Sequence, residues 1–285
     1  MNGFGGGNAL FYEKSRPGYP AQALRAIEDA IRRSGSNDGD FLVDLGCGTG
    51  KFTREILPFA RAEGLRVMGV EPVEAMRAQF ETALPGIPVV EGVGEALPVS
   101  DSSARALIAA QSFHWMSSPA TLREVHRVLV PGGLFVLLWN TRDYSEPWVR
   151  ALEEIIDPFY GDDVPRQQGG AWRQSFREMR LKPPSDGDGD VGNEGPLRQS
   201  FFGELTEQHF KHSQVLTLDE LDKRMRSISV IATRPEPERA DASRRARELV
   251  ETHPDTRQGF LEHGTVELFY DTEVYWCNNL GVVPQ

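Results

Sequence analysis

A doubly wound α/β sheet with mostly parallel strands is the fold this sequence predicts, and three observations predict it. An apolar run, Phe41-Leu42-Val43, leads into Asp44-Leu45-Gly46-Cys47-Gly48-Thr49-Gly50 and then into a helix-like segment. Strand, glycine-rich turn and helix start are how an open α/β sheet forms a nucleotide pocket. A second apolar run closes on an acid at Gly69-Val70-Glu71, about twenty residues further on, where a carboxylate accepts ribose hydroxyls. Residues 134–139 form a continuous apolar run, as expected of a strand buried on both faces. Together these features call for a ribose-bearing cofactor.

The elements follow in order. Residues 20–33 carry Leu24, Ile27 and Ile31 at helical spacing, and 34–40 read as a polar loop. After strand one and the glycine turn comes a helix over 51–62, which Pro58 is expected to kink or shorten. Strand two is 66–70. Pro72 suits the first turn of a helix running to about 82, and strand three lies near 89–90. Strand four is 104–110, with Gln111-Ser112-Phe113-His114-Trp115 at its C-terminal end, where ligands sit in such sheets. An amphipathic helix over 123–129 ends at Val130-Pro131-Gly132-Gly133. Beyond Asn140 the pattern predicts helices at 147–159, 218–227 (capped by Thr217 or Asp219) and 235–252. It predicts strands near 210–216 and 265–276. The Pro/Gly/Asp-rich stretch 182–196 reads as a mobile loop. Its alternating Asp186, Asp188 and Asp190 lack the turn glycine and the bidentate Glu of a calcium loop, so no metal is expected.

Composition bounds the function. The 285 residues are 39% hydrophobic and 26% charged, with a formal net charge of −11. The basic field of a nucleic-acid binder is missing; Arg244-Arg245-Ala246-Arg247 sits among acids and reads as a solvated helix face. No apolar run approaches the ~18 residues of a membrane span. Cys47 and Cys277 are the two cysteines, and Cys47 lies within the glycine loop, so a reducing, cytoplasmic setting without a disulfide is expected. Residues 1–8 read as a mobile tail.

Register narrows the cofactor. A phosphate-binding P-loop needs a hydroxyl after its lysine, and Phe52 follows Lys51. A dinucleotide turn needs a third small residue for close helix packing; counted from Gly46 and Gly48, that position is Lys51. The spacing that fits is D-x-G-x-G-x-G.

With that spacing the sequence resembles the class I S-adenosylmethionine (SAM) dependent methyltransferases, over roughly residues 10–145 and more loosely beyond. Val93-Gly94-Glu95-Ala96-Leu97-Pro98 resembles their adenine-edge motif, and Arg127-Val128-Leu129-Val130-Pro131-Gly132-Gly133 before an apolar strand is typical of them. The segment Tyr12 to Pro20, with Arg16, Pro17 and Tyr19, is similar to the N-terminal segment of small-molecule members such as trans-aconitate methyltransferase. The resemblance implies a Rossmann-like, seven-stranded sheet with an antiparallel last strand and helical cap insertions. It implies one domain over 1–285: a lid segment (1–35), a SAM-binding core (36–145), a cap (146–260) and a C-terminal strand (261–285). It implies SAM as donor and S-adenosylhomocysteine as product. The implied cofactor contacts are Tyr12 as lid, Arg16 on the methionine carboxylate, Asp44 toward the amino end and Gly46, Cys47, Gly48 and Gly50 under the ribose and methionine. Glu71 would hold the ribose, with Pro72 and Met76 beside it, Glu95 and Ala96 at adenine, and Gln111, Ser112 and Phe113 near the methyl group.

The acceptor side is drawn from Tyr19, His114, Trp115, Trp139, Asn140, Trp148 and Tyr270. His114 is readable as a general base or as a pocket wall. The sulfonium methyl is already activated, so alignment and desolvation carry the reaction. With no second base in sight, an acceptor that ionises easily, or proximity catalysis, is favoured. The expected partner is a small molecule, without nucleic acid or membrane, for a monomer or homodimer. An RNA or protein methyltransferase is opposed by the acidity and by Gln111-Ser112-Phe113-His114 where an Asn-Pro-Pro-Tyr tetrapeptide would stand. A SAM-binding regulator without transfer activity fits the same glycine loop, whereas Lys51 opposes a nicotinamide oxidoreductase.

Overall fold

The structure is a computed structural model and describes residues 16–34, 39–161, 164–181 and 201–281. The readings of Tyr12, of residues 1–8 and of the 182–196 loop lie outside them. A seven-stranded sheet in the order β3-β2-β1-β4-β5-β7-β6 runs through the molecule. Its strands are β1 (Phe41–Leu45), β2 (Arg66–Val70), β3 (Val89–Val90), β4 (Ala104–Ala110), β5 (Leu129–Arg142), β6 (Thr206–Thr217) and β7 (Thr265–Asn278). Neighbours from β3 to β5 pair in parallel, and β7 runs antiparallel between β5 and β6. The expected sheet and its antiparallel last strand are therefore present. Strand order reverses between β1 and β4, and the crevice at such a switch point is where open α/β sheets bind ligands.

Helices cover both faces. On one, α1 (Ala21–Arg33), α2 (Lys51–Ala62) and α3 (Glu74–Ala83) bury Ile27, Ile56 and Phe80 against Leu42, Ile108 and Val136. On the other, α4 (Pro119–Val128) packs with α6 (Arg173–Leu181), while α5 (Pro147–Ile156), between them in the chain, belongs to the cap. There Leu122, Trp172 and Phe176 meet Phe113, Phe135 and Tyr275. A third core belongs to the cap. In it α5, α7 (Leu218–Arg226), α8 (Ser229–Ala232) and α9 (Glu236–Thr252) enclose Trp148, Leu221, Ile231 and Tyr270. The last helix, α10 (Pro254–His263), leads into β7 through Gly264.

Local chemistry explains the boundaries. Thr217 caps α7 in a full capping box with Glu220, and Ser118 caps α4 ahead of Pro119 at its first position. Pro58 neither shortens nor ends α2, which runs on to Ala62 with the ring on its exposed side. There water can take the carbonyl that loses its partner. β6 is longer than its apolar residues alone predict. Its first half carries exposed Glu207, Gln208 and His209 and is held by full backbone register with β7, from Thr206–Trp276 to Thr217–Thr265. β5 also starts earlier, at Leu129, its register with β4 shifting across the Pro131-Gly132-Gly133 stretch.

The cap is fastened to the sheet by a buried ion pair. Arg142, at the end of β5, donates from Nε to Glu153 Oε2 of α5 at 2.6 Å, with side chains 10% and 11% exposed. Glu153 compensates a guanidinium that has lost its water, which holds Arg142 above its ordinary range. Glu153→Ala is expected to lower unfolding free energy by roughly 3–5 kcal/mol, measured by urea denaturation. A loss below about 1 kcal/mol would show that the pair behaves as a solvated one.

Candidate cofactor and acceptor site

The turn after β1 crosses the end of β2 and is held there by backbone. Gly46 N and Cys47 N donate to Val70 O at 2.7 and 3.2 Å, and Gly50 N donates to Cys47 O. Ser112 Oγ, arriving from β4, donates to Leu45 O at 2.6 Å, so the C-terminal ends of β1, β2 and β4 are tied at one level. Gly46 has φ +68°, and a Cβ there would stand 2.6 Å from Ser112 Cβ; only glycine lets the turn pass. Gly48 differs. Its φ is +55°, yet an added Cβ would meet only Met76 Sδ at 3.8 Å. Its backbone therefore faces open space, as close approach to a ligand requires.

Two acids lie beneath this turn. Glu71, 5% exposed, accepts from Gly48 N at 3.0 Å and from Val73 N at 2.9 Å. Burial raises its carboxyl, and the two amide donors and Arg77 oppose that rise. Arg77 braces the same corner, donating to Glu71 O, Pro72 O and Glu91. Asp44 is fully buried. Its Oδ2 accepts from Thr53 Oγ1 at 2.5 Å, and among the described residues its Oδ1 has no partner. Burial pushes its pKa up to about 7, against the Thr53 hydrogen bond and with a contribution from the Glu71 charge. Thr53 and Arg77 escaped sequence reading. Thr53 belongs to the first turn of the helix after the glycines, and Arg77 to the first turn of α3, so both signals were positional.

The rim carries Glu95 and Ala96, both exposed after β3, and Gln111, whose N donates to Leu138 O. Gln111 has φ +59°, an uncommon conformation for a non-glycine residue that clusters at functional sites. Ser112 serves the backbone tie described above. Phe113 corrects the expectation of a cofactor-facing side chain. It is fully buried among Phe135, Trp172 and Phe176, because the 3-10 turn Phe113–Trp115 rotates it into the core. His114 remains half-buried at the rim, and Trp115 is 40% exposed beside it, 5.2 Å between ring centroids. Trp139, 1% exposed, donates from Nε1 to His114 Nδ1 at 3.1 Å. Burial, then the nearby Arg16 charge, lowers the pKa of His114 to about 4. The ring is neutral at pH 7 and its Nδ1 lone pair is taken, which opposes the general-base reading.

The N-terminal segment lies across the mouth. Arg16 Nη2 donates to Ser227 O at 3.1 Å, and Lys51 Nζ donates to Arg16 O at 2.6 Å. Asn140 Nδ2 donates to Gly18 O at 2.9 Å and its Oδ1 accepts from Thr272 Oγ1. Tyr19 packs edge-on against Phe52 and donates its backbone N–H to Glu55. Lys51, which told against phosphate-binding turns, thus tethers this segment. Trp148 and Tyr270 do not join the site. Both are 1–2% exposed in the cap core, where Tyr270 Oη accepts from Arg224 Nε. Aromatic residue type alone did not separate wall from core. Cys47 and Cys277 are buried and not joined in a disulfide. Burial pushes the Cys47 thiol far up, so it is no nucleophile.

A family profile described as a methyltransferase domain matches residues 43–137. A methyltransferase-like protein of Schizosaccharomyces pombe is 30% identical over 244 residues, covering 85% of this chain and 84% of its own. The chain belongs to the methyltransferase family. An uncharacterized methyltransferase of Mycobacterium tuberculosis is 39% identical over 145 residues, 51% of this chain and 55% of that protein; here the chain spans about half the relative's length. Among solved structures, an Anaeromyxobacter dehalogenans protein assigned to the type II methyltransferases superposes with a TM-score of 0.58 at 18% identity. That match covers 94% of this chain and 99% of the other, and at such identity it speaks to fold alone. The family match is confined to β1 through β5; the cap is carried by the fission-yeast relative.

The methyltransferase's buried acid gives a pH signature. With a folded pKa of about 7 against an unfolded value near 3.9, Asp44 holds more protons folded than unfolded between those limits. Stability from this group is full below pH ~4, falls as pH rises, and is flat above ~7. Asp44→Asn is expected to remove that slope, so the stability difference between wild type and variant shrinks or reverses from pH 4 to 7. Parallel unfolding curves across this range would refute the burial-driven shift.

Proposed function

We propose that the protein is a SAM-dependent methyltransferase acting on a small-molecule acceptor. The observation that carries the reading is the pairing of an open-faced Gly48 with two buried acids, one of them, Asp44, holding an oxygen with no partner among the described residues. These residues fit the donor. An unpaired buried carboxylate oxygen suits the ammonium of the methionine portion, Glu71 suits ribose hydroxyls, and the bare Gly48 backbone leaves room for the adenosine. Pro72, Met76, Glu95 and Ala96 complete that side, and Gln111 with the His114 turn stands at the acceptor side. SAM held by these residues would supply a methyl activated on a sulfonium, for displacement onto an acceptor O, N or S with S-adenosylhomocysteine as the leaving group.

The chain's own contribution is placement and exclusion of water. Lys51, Ser227 and Asn140 hold residues 16–18 over the site, so the acceptor meets a surface closed on one side. The net charge of −11 favours a small acceptor over a polyanionic nucleic acid.

Calorimetry with SAM, S-adenosylhomocysteine and NAD tests the reading. SAM and its demethylated product should bind, NAD should not, and Glu71→Gln should weaken SAM at least tenfold. NAD binding without SAM binding would overturn it. A labelled-methyl screen over metabolite extracts should then yield a labelled small molecule; label confined to RNA or protein fractions would favour a macromolecular acceptor.

A further inference from the structure

His114 and Trp139 form a pair whose chemistry is set by donor type. An indole nitrogen is only ever a donor, so the 3.1 Å contact between Trp139 Nε1 and His114 Nδ1 makes Nδ1 the lone-pair nitrogen. A neutral imidazole has one N–H, which therefore lies on Nε2. This assignment does not depend on where hydrogens are drawn. The bond is strongly favoured because the indole N–H is buried with Trp139 at 1% exposure, and a buried donor left unpaired is costly. Trp139 cannot turn aside, since Trp172 and Tyr275 pack on it at 5.1 and 5.9 Å between ring centroids.

We propose that Trp139 is a positioning residue that fixes His114 as its Nε2–H tautomer, so that this ring meets the methyl acceptor as a hydrogen-bond donor and does not remove its proton. The proposal rests on the methyltransferase reading only for what the donor meets. Protonating His114 would set Nδ1–H against the indole N–H, donor against donor. The Arg16 guanidinium opposes protonation from the N-terminal segment, and the neighbouring Trp115 ring brings no charge. Among the described residues Nε2 makes no hydrogen bond, and the ring is only half-buried, which leaves that N–H available. Such a donor orients an acceptor and lowers its affinity for a proton; an acceptor that must lose a proton has to lose it to water or arrive without it.

Ring nitrogen-15 spectra of the full-length protein test this without cofactor or acceptor, with His114 assigned against His114→Gln. The expected wild-type result is a protonated Nε2, an unprotonated Nδ1 and no titration of this ring near pH 6.5. In Trp139→Phe the tautomer preference should be lost and the ring should titrate higher, with a single cooperative unfolding transition retained. A wild-type Nδ1–H, or a wild-type ring titrating near 6.5, would overturn the assignment. An unchanged His114 titration in Trp139→Phe would remove the role of Trp139. Failure of SAM and S-adenosylhomocysteine to bind wild type would overturn the methyltransferase reading while leaving the tautomer result standing.

Discussion

The site depends on one constraint: three strand ends must finish at the same height and be joined by backbone that carries no side chain. The Val70 carbonyl accepts from the turn after β1, and the Leu45 carbonyl accepts from Ser112 after β4. Each strand end thus ties off its neighbour's free polar group, as buried backbone demands. A side chain at Gly46 would push the Ser112 tie apart, and one at Gly50 would strike Leu84 and Phe80 at 2.7 and 2.8 Å. Gly48 alone looks outward. The glycines therefore divide into two that close the scaffold and one that opens it.

The two acids follow from that geometry. A turn this tight brings backbone N–H groups close to the end of β2, and Glu71 is the residue placed to receive them. Asp44, one residue before the end of β1, points under α2 and is removed from water. Its raised pKa is a consequence of its depth, and Thr53 offsets only part of it.

Much of this was legible in the chain. The parallel core was readable because β1, β4 and β5 are largely apolar runs, and the loop because its acid-and-glycine spacing excludes phosphate-binding turns. β2, β3 and β4 fall where the apolar runs place them. The cap was read in part: the helices Pro147–Ile156, Leu218–Arg226 and Glu236–Thr252 fall where the pattern puts them, and the rest escaped for a physical reason. The first half of β6 is polar and held by register with β7, so alternation is weak. Helices α6, α8 and α10 are short, polar or both, and take their stability from packing rather than from periodicity. The aromatics show the same limit: Trp139 lies in the sheet core with its Nε1 reaching His114 at the rim, and Trp148 in the cap core, although both occur in apolar surroundings in sequence. Phe113 and His114 are adjacent, and one 3-10 turn sends the first into the core and leaves the second at the rim.

Asp44 adds a thermodynamic consequence. A carboxyl with a pKa of about 7 is divided between its two protonation states at neutral pH. A cation seated against its free oxygen would draw the group wholly into the charged form and expel a fraction of a proton into solution. The heat of such binding would then carry the ionisation enthalpy of the buffer, differing between phosphate and Tris at one pH, and affinity would climb with pH until the carboxyl is fully ionised.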